Sequence, residues 1–254
     1  MSDVLVLCYH ALSERWEAAL SVTPTALERQ VGLLLRRGYR PTTFTQAVLA
    51  PPAPRTLAIT FDDAFASVKT YAAPVLAALG AVATVFAPTA FMDGEGALRW
   101  PGLEEWLATD HAGELAAMSW AQLRELADAG WEIGSHTRTH PHLTQLDDVE
   151  LARELEGSRA DCERHLGRSC EAIAYPYGDV DQRVAAAAQR AGYAVGAALS
   201  SRLAPLGPHR QPRVGVYHGD DPLRFRLKVA RVLRLARASR LWPQRVDRAQ
   251  GAGV

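Results

Sequence analysis

Short apolar runs alternate with longer amphipathic stretches that stop at glycine, and this alternation restricts the fold more than any other feature of the sequence. Apolar runs at 4–9, 56–61, 82–87, 131–135 and 171–175 read as buried strands, because they are rich in β-branched residues and leucine and end at polar residues. Helical windows follow at 24–37, 64–79, 120–129 and 147–166. The first has Thr23 as N-cap, Pro24 in its first turn and Gly38 beyond its end; Gly80, Gly130 and Gly167 close the others. Strand followed by helix throughout implies parallel strands joined by crossover helices, and barrels of that kind use about 250 residues as one unit. The predicted class is therefore α/β, as a single domain.

The composition supports one core. Of 254 residues, 48% are hydrophobic, and the 28 basic residues balance the 28 acidic ones, so no global field recruits nucleic acid. Cys8, Cys162 and Cys170 form no C-x-x-C pair and read as reduced thiols. The apolar run near Met1 is too short for a signal-peptide core or a membrane span, so a cytoplasmic location is expected. Residues 92–118, rich in glycine, read as a long loop bordering the site.

Chemistry-bearing residues collect where strands end: His10, Asp62 with Asp63, His136, and Tyr175 to Gly178. Singly, each has a bland reading; an acidic pair after a strand is often a helix cap. Together, Asp63, His136 and His140 offer a carboxylate and two imidazoles, a set that suits Zn²⁺ or a related divalent ion and leaves positions open for water and substrate. Asp62 is then a spare carboxylate able to accept a proton from water.

Thr60-Phe61-Asp62-Asp63, Ser135-His136-Thr137-Arg138-Thr139-His140 and Tyr175-Pro176-Tyr177-Gly178 resemble, in order and rough spacing, three motifs of the polysaccharide deacetylases of the NodB homology type, over roughly residues 4–216. The resemblance implies a distorted (β/α) barrel of about seven strands and removal of acetyl groups from N-acetylated sugars. It implies that Asp63, His136 and His140 bind the metal, with Zn²⁺ foremost and Co²⁺ or Ni²⁺ as alternatives. It also implies that Asp62 is the general base and that the backbone amide of Tyr177 helps hold the oxyanion.

Two positions depart from the pattern. The third motif usually begins with an arginine that pairs with the base, and here that position is Ala174; Arg213 is a candidate replacement, as in the branch resembling poly-N-acetylglucosamine deacetylases. The general acid is usually a histidine in a Leu-x-His motif near the carboxyl end. His218 occupies that place in sequence order, whereas His10, at the end of the first strand, resembles the opening of circularly rearranged relatives and is the preferred candidate. His142 reads as structural.

The barrel is expected to occupy 1–221, followed by a basic amphipathic helix over 222–242 and a disordered tail over 243–254. In that helix Lys228, Arg231, Arg234, Arg237 and Arg240 recur at every third position, while Phe225, Val229, Val232, Leu233 and Ala236 share another face. A packing helix with a solvated basic face is one reading, and peripheral contact with an anionic membrane is the other. Nothing in the sequence sets an oligomeric state. Alternatives for the activity are hydrolysis of a small amide or cyclic imide on the same barrel, and a catalytically silent glycan-binding domain.

Overall fold

The computed structural model describes residues 3–51, 53–93, 96–239 and 241–242. In chain order the elements are β1 (Val4–Tyr9), β2 (Ala11–Leu12), β3 (Ser21–Val22), α1 (Pro24–Arg36), β4 (Arg40–Thr42), α2 (Phe44–Leu49), β5 (Thr56–Phe61), α3 (Ala73–Ala78), β6 (Thr84–Ala87), α4 (Trp120–Asp128), β7 (Glu132–Ser135), α5 (Asp148–Leu166), β8 (Ala172–Ala174), α6 (Gln182–Arg190), β9 (Val195–Ala198), β10 (Gln211–Pro212), β11 (Val214–Gly215), α7 (Pro222–Val229) and α8 (Arg231–Ala238). The predicted tail over 243–254 lies outside the described residues.

The main sheet runs β10-β9-β8-β7-β6-β5-β1-β11 with every pairing parallel, while β4 pairs with the first half of β5 below β6. Eight strands lie along the path, against the seven or so expected. The extra one arises because residues 211–215 serve both edges: Gln211 and Pro212 pair with β9, and Val214 and Gly215 pair with β1. The ring therefore comes close to closure around a seam at Arg213.

Strands buried on both faces read as continuous apolar runs, and alternation decides which side chain serves which layer. Leu5, Leu7 and Tyr9 of β1, with Leu57, Ile59 and Phe61 of β5, join the core shared with the helices. Their neighbours Val6 and Ala58 join Phe86, Ala172, Ala174, Val195 and Ala197 in a second cluster lining the barrel. Short side chains dominate that lining because a small barrel has little interior volume. Phe44 of α2 packs edge-on against Phe86, its amide donates to Thr84, and the amide of Thr45 donates to Glu132, so α2 closes the amino end of the ring. The carboxyl end is left for chemistry.

One expected helix starts late and another is broken. The window 64–79 is helical from Ala66, with a π-helical turn at Val68–Ala72 running straight into α3, and its start is delayed because Asp63 and Ala64 both adopt left-handed backbone and Phe65 bridges to Ala117. The C-terminal window splits at Ala230, whose extended backbone (ψ 124°) separates α7 from α8. Phe225 and Val229 are buried as their periodicity predicts, but Val232 and Leu233 are exposed and Arg234 is buried instead. The cause is a polar partner: Arg234 bonds both carboxylate oxygens of Asp3 at 2.8 and 3.0 Å and the hydroxyl of Tyr39 at 2.9 Å.

Candidate active site

In an extended strand, successive side chains point to opposite faces, so adjacent carboxylates cannot both face one site. The chain escapes this constraint after β5. Asp62 still pairs as a strand residue, its amide donating to the carbonyl of Tyr9, and Asp63 then turns left-handed at φ 69°. Such a conformation costs a non-glycine residue about 1–3 kcal/mol. Six non-glycine residues among those described have positive φ, and five of them (Asp63, Ala64, Thr137, His140 and Tyr177) belong to or adjoin the predicted motifs. Backbone strain thus marks the same site as the side-chain chemistry.

His136 follows β7, and its Nδ1 lies 2.8 Å from the carbonyl of Ala174. Donation to that carbonyl fixes the tautomer that leaves Nε2 with a free lone pair. His140 is carried back toward the site by a loop with left-handed residues at Thr137 and at His140 itself. The carboxylate of Glu154 on α5 ties this loop down through the amides of Arg138 and Thr139.

The Nε2 atoms of His136 and His140 lie 3.3 and 3.4 Å from the same oxygen, Oδ1 of Asp63. All three side chains are buried, and their donor atoms lie within 4.8 Å of one another. Charge-assisted hydrogen bonds would bring such atoms to about 2.7–2.9 Å. Donors arranged tetrahedrally around a cation at the usual ~2.1 Å stand about 3.4 Å apart. Oδ1 of Asp63 is also buried without a hydrogen-bond partner, which an ion would resolve. The residues present therefore fit a divalent metal.

Electrostatics favour the ligand form at Asp63 and at His140, and oppose it at His136. Burial pushes the Asp63 carboxyl up, but His136 and His140 beside it hold it well below the usual carboxylate range. Burial outweighs Asp63 at His140 and pushes that imidazole down to about 4, which keeps it neutral as a ligand must be. At His136, burial is opposed and overcome by Asp62 and Asp63, and the net shift is upward.

Asp62 faces the barrel interior. Nη1 of Arg213 lies 2.6 Å from Oδ1 and Nη2 lies 2.7 Å from Oδ2, a bidentate pair buried on both sides. Burial pushes Asp62 up, and Arg213 with His136 more than reverses it, so the carboxylate is held below its ordinary range. Nη1 of Arg213 also donates to Thr60, and the guanidinium sits 5.5 Å above the ring of Phe86. The Ala174 position carries only a methyl group, and the cation reaches Asp62 from the seam of the barrel instead.

The two candidate acids are separated by the fold. His10 is buried, and its imidazole lies with Cys8 and Asp62 in a cluster whose polar atoms are within 4.8 Å of one another. Burial lowers its pKa against the pull of Asp63 and Asp62. His218 is exposed and lines a cavity between α1 and α7 with Arg29, Leu33 and Phe225. Tyr177 is left-handed at φ 58°, with its ring 4.6 Å from that of His140. His142 stacks on Tyr177 at 3.9 Å and lies outside the Asp63 cluster.

Two neighbours of the site were not singled out in the sequence. Trp100, from the loop predicted to border the site, stacks on His140 at 4.1 Å with an interplanar angle of 19°. Cys8 places its sulfur 3.4 Å from Oδ2 of Asp62. Alternation on β1 puts Cys8 on the same face as Val6 and His10, and that was its one available signal.

A parallel barrel with an Asp-His-His cluster and a second, arginine-paired aspartate at its carboxyl end has the architecture of a carbohydrate deacetylase. The family model for polysaccharide deacetylase matches residues 50–196, and the chain belongs to that family. YxkH of Bacillus subtilis (strain 168) is 26% identical over 196 residues, covering 75% of this chain; the match spans 62% of that relative's own length. Among solved structures, a polysaccharide deacetylase from Bacillus cereus superposes with a TM-score of 0.72 at 24% identity, over 89% of this chain and 68% of that one. The Streptococcus pyogenes deacetylase PplD, in complex with acetate, gives 0.72 at 24%, over 88% and 97%. IcaB from Ammonifex degensii gives 0.71 at 21%, over 92% and 98%. These likenesses establish the shared fold. His10 and Arg213 lie outside the matched range 50–196, so their placement rests on geometry alone.

Proposed function

We propose that the chain is a metal-dependent hydrolase that removes the acetyl group from an N-acetylated sugar, an N-acetylhexosamine within a glycan or glycan intermediate. The observation that carries this reading is the convergence of His136 and His140 on one oxygen of Asp63, beside an Asp62 already held by Arg213. A divalent cation held there, Zn²⁺ before Co²⁺ or Ni²⁺, would supply Lewis acidity toward water and toward the acetamide carbonyl.

The protein's own groups then divide the proton work. Asp62, oriented by Arg213, accepts a proton from the water that attacks the carbonyl carbon. The backbone amide of Tyr177 donates to the oxygen that becomes negative. His10 gives a proton to the amide nitrogen as the carbon–nitrogen bond breaks, which releases acetate and a free amino sugar. Trp100 and Tyr177 pack around His140, so this ligand keeps its orientation while substrate comes and goes.

The test is acetate release from N-acetylglucosamine oligomers with Zn²⁺, Co²⁺ or Ni²⁺, against a chelated control. Metal-dependent acetate supports the reading. Ring opening of a cyclic imide without acetate would replace it, and glycan binding without turnover would make the domain a lectin-like module.

A further inference from the structure

Surface helices bury their apolar stripe and expose their charges. α8 does the reverse. Its buried residue is Arg234, locked to Asp3 and Tyr39, while Val232 is 78% and Leu235 60% exposed. The pattern extends along the segment. Of the twelve large apolar side chains exposed among the described residues, seven lie between Leu223 and Trp242.

The charge of this segment is as one-sided as its exposure. Residues 222–242 contain seven arginines and lysines and no acidic residue, in a chain whose formal charge is zero. Arg224, Arg226 and Arg231 are exposed beside Leu223, Leu227 and Val232. Because Asp3 anchors Arg234 from behind, the helix cannot roll its apolar side inward without breaking a buried ion pair, a change that is strongly destabilising.

We propose that α7 and α8 form a docking face for an anionic lipid surface, with leucine and valine side chains entering the interface and arginines meeting lipid phosphates. Lys228 and Arg234 are paired with Asp220 and Asp3, and Asp221 caps α7, but the exposed Arg224, Arg226 and Arg231, interleaved with exposed apolar residues, match a negatively charged membrane. An interface with a second copy of this neutral chain would not need the charge bias. No helix among the described residues is long and apolar enough to cross a bilayer.

The orientation that follows bears on substrate. Arg234 is bonded to Asp3, one residue before β1, whereas the reacting groups lie beyond the other end of that strand. A strand of this length rises about 20 Å. Docked through α8, the protein turns its active site away from the headgroups, toward glycan that extends into the aqueous phase.

Sedimentation with vesicles tests the face. The wild-type protein should pellet with phosphatidylcholine vesicles containing phosphatidylglycerol, far less with phosphatidylcholine alone, and less as salt is raised. Val232→Ser combined with Leu235→Ser should weaken partitioning about tenfold. Arg226→Glu with Arg231→Glu should weaken it at least as much, about tenfold or more. Acetate release from a soluble substrate should be unchanged in both variants. Equal pelleting on neutral and anionic vesicles, or variants that partition like wild type, would overturn the proposal. A concentration-dependent dimer lost in Val232→Ser/Leu235→Ser, without vesicle binding, would assign the face to a second copy and overturn it equally.

Discussion

Arg213 and Asp62 are 151 residues apart in the chain, and the guanidinium of one grips both oxygens of the other's carboxylate at 2.6 and 2.7 Å. The pair joins the seam where the barrel closes to the strand end where the reaction is placed. A single substitution should therefore disturb stability and turnover together.

Arg213→Met should cost about 3–5 kcal/mol at neutral pH, the usual penalty for stranding a buried charge. In the native protein the Asp62 carboxyl is held below its ordinary range, so its contribution is present above the unfolded pKa and is lost as pH falls through the folded one. Without the guanidinium, burial is opposed only by His136 and His10, and the carboxyl protonates more readily. The deficit between the two proteins should be largest at neutral pH and shrink on acidification. Urea titrations across the acid range check this.

Asp62→Asn preserves the shape of the site but cannot accept a proton. Turnover should fall by about 10²–10⁴, the usual range for loss of a positioned base, with zinc affinity retained. Asp63→Ala should lose both. Calorimetric zinc binding beside acetate release distinguishes the two, and a fully active Asp62→Asn protein would refute the role given to Asp62.

His10→Ala should slow acetate release by a similar factor of about 10²–10⁴, while His218→Ala should leave it near wild type, because His218 faces the cavity between α1 and α7. The reverse result would move the acid to the other histidine.

Zinc affinity should decline on acidification in two stages. His136, whose pKa Asp62 and Asp63 raise above its ordinary value, protonates first and competes with the metal at higher pH than His140, which burial pushes down to about 4. Metal titrations at several pH values, with the wild-type protein, would resolve the two losses.

Trp100→Ala removes the ring stacked on His140, and loss of a group that orients a ligand typically weakens metal affinity about 10–100-fold. Competition with a chromophoric chelator measures it. An unchanged affinity would make Trp100 a substrate contact only.

The parts of this fold legible in the sequence were those with strong local signals. The strands at 4–9 and 56–61 announce themselves as unbroken apolar runs, and α5 carries an Asp147 cap and a closing Gly167. What escaped was decided at long range. β9 is built from valine, glycine and alanine, small residues chosen by the barrel interior and indistinct as a strand pattern. β10 and β11 are two residues each and exist only because two edges of a sheet meet there. The Asp62, Asp63, His136 and His140 motifs could be read as a set of types, but the left-handed turns that aim them have no local signature, since none falls on glycine. Arg234 misled for the opposite reason: periodicity assigns an arginine to solvent, and only the distant Asp3 draws it inward.

The closure of the ring by residues 211–215 places the barrel's most lightly stitched joint directly behind its reacting carboxylate. Two short pairings hold that joint, and the guanidinium between them is the clasp. Any fluctuation that parts the staves there also slackens the grip on Asp62, so the integrity of the vessel and the readiness of its chemistry rise and fall as one quantity. Selection on either property at these five positions is unavoidably selection on both.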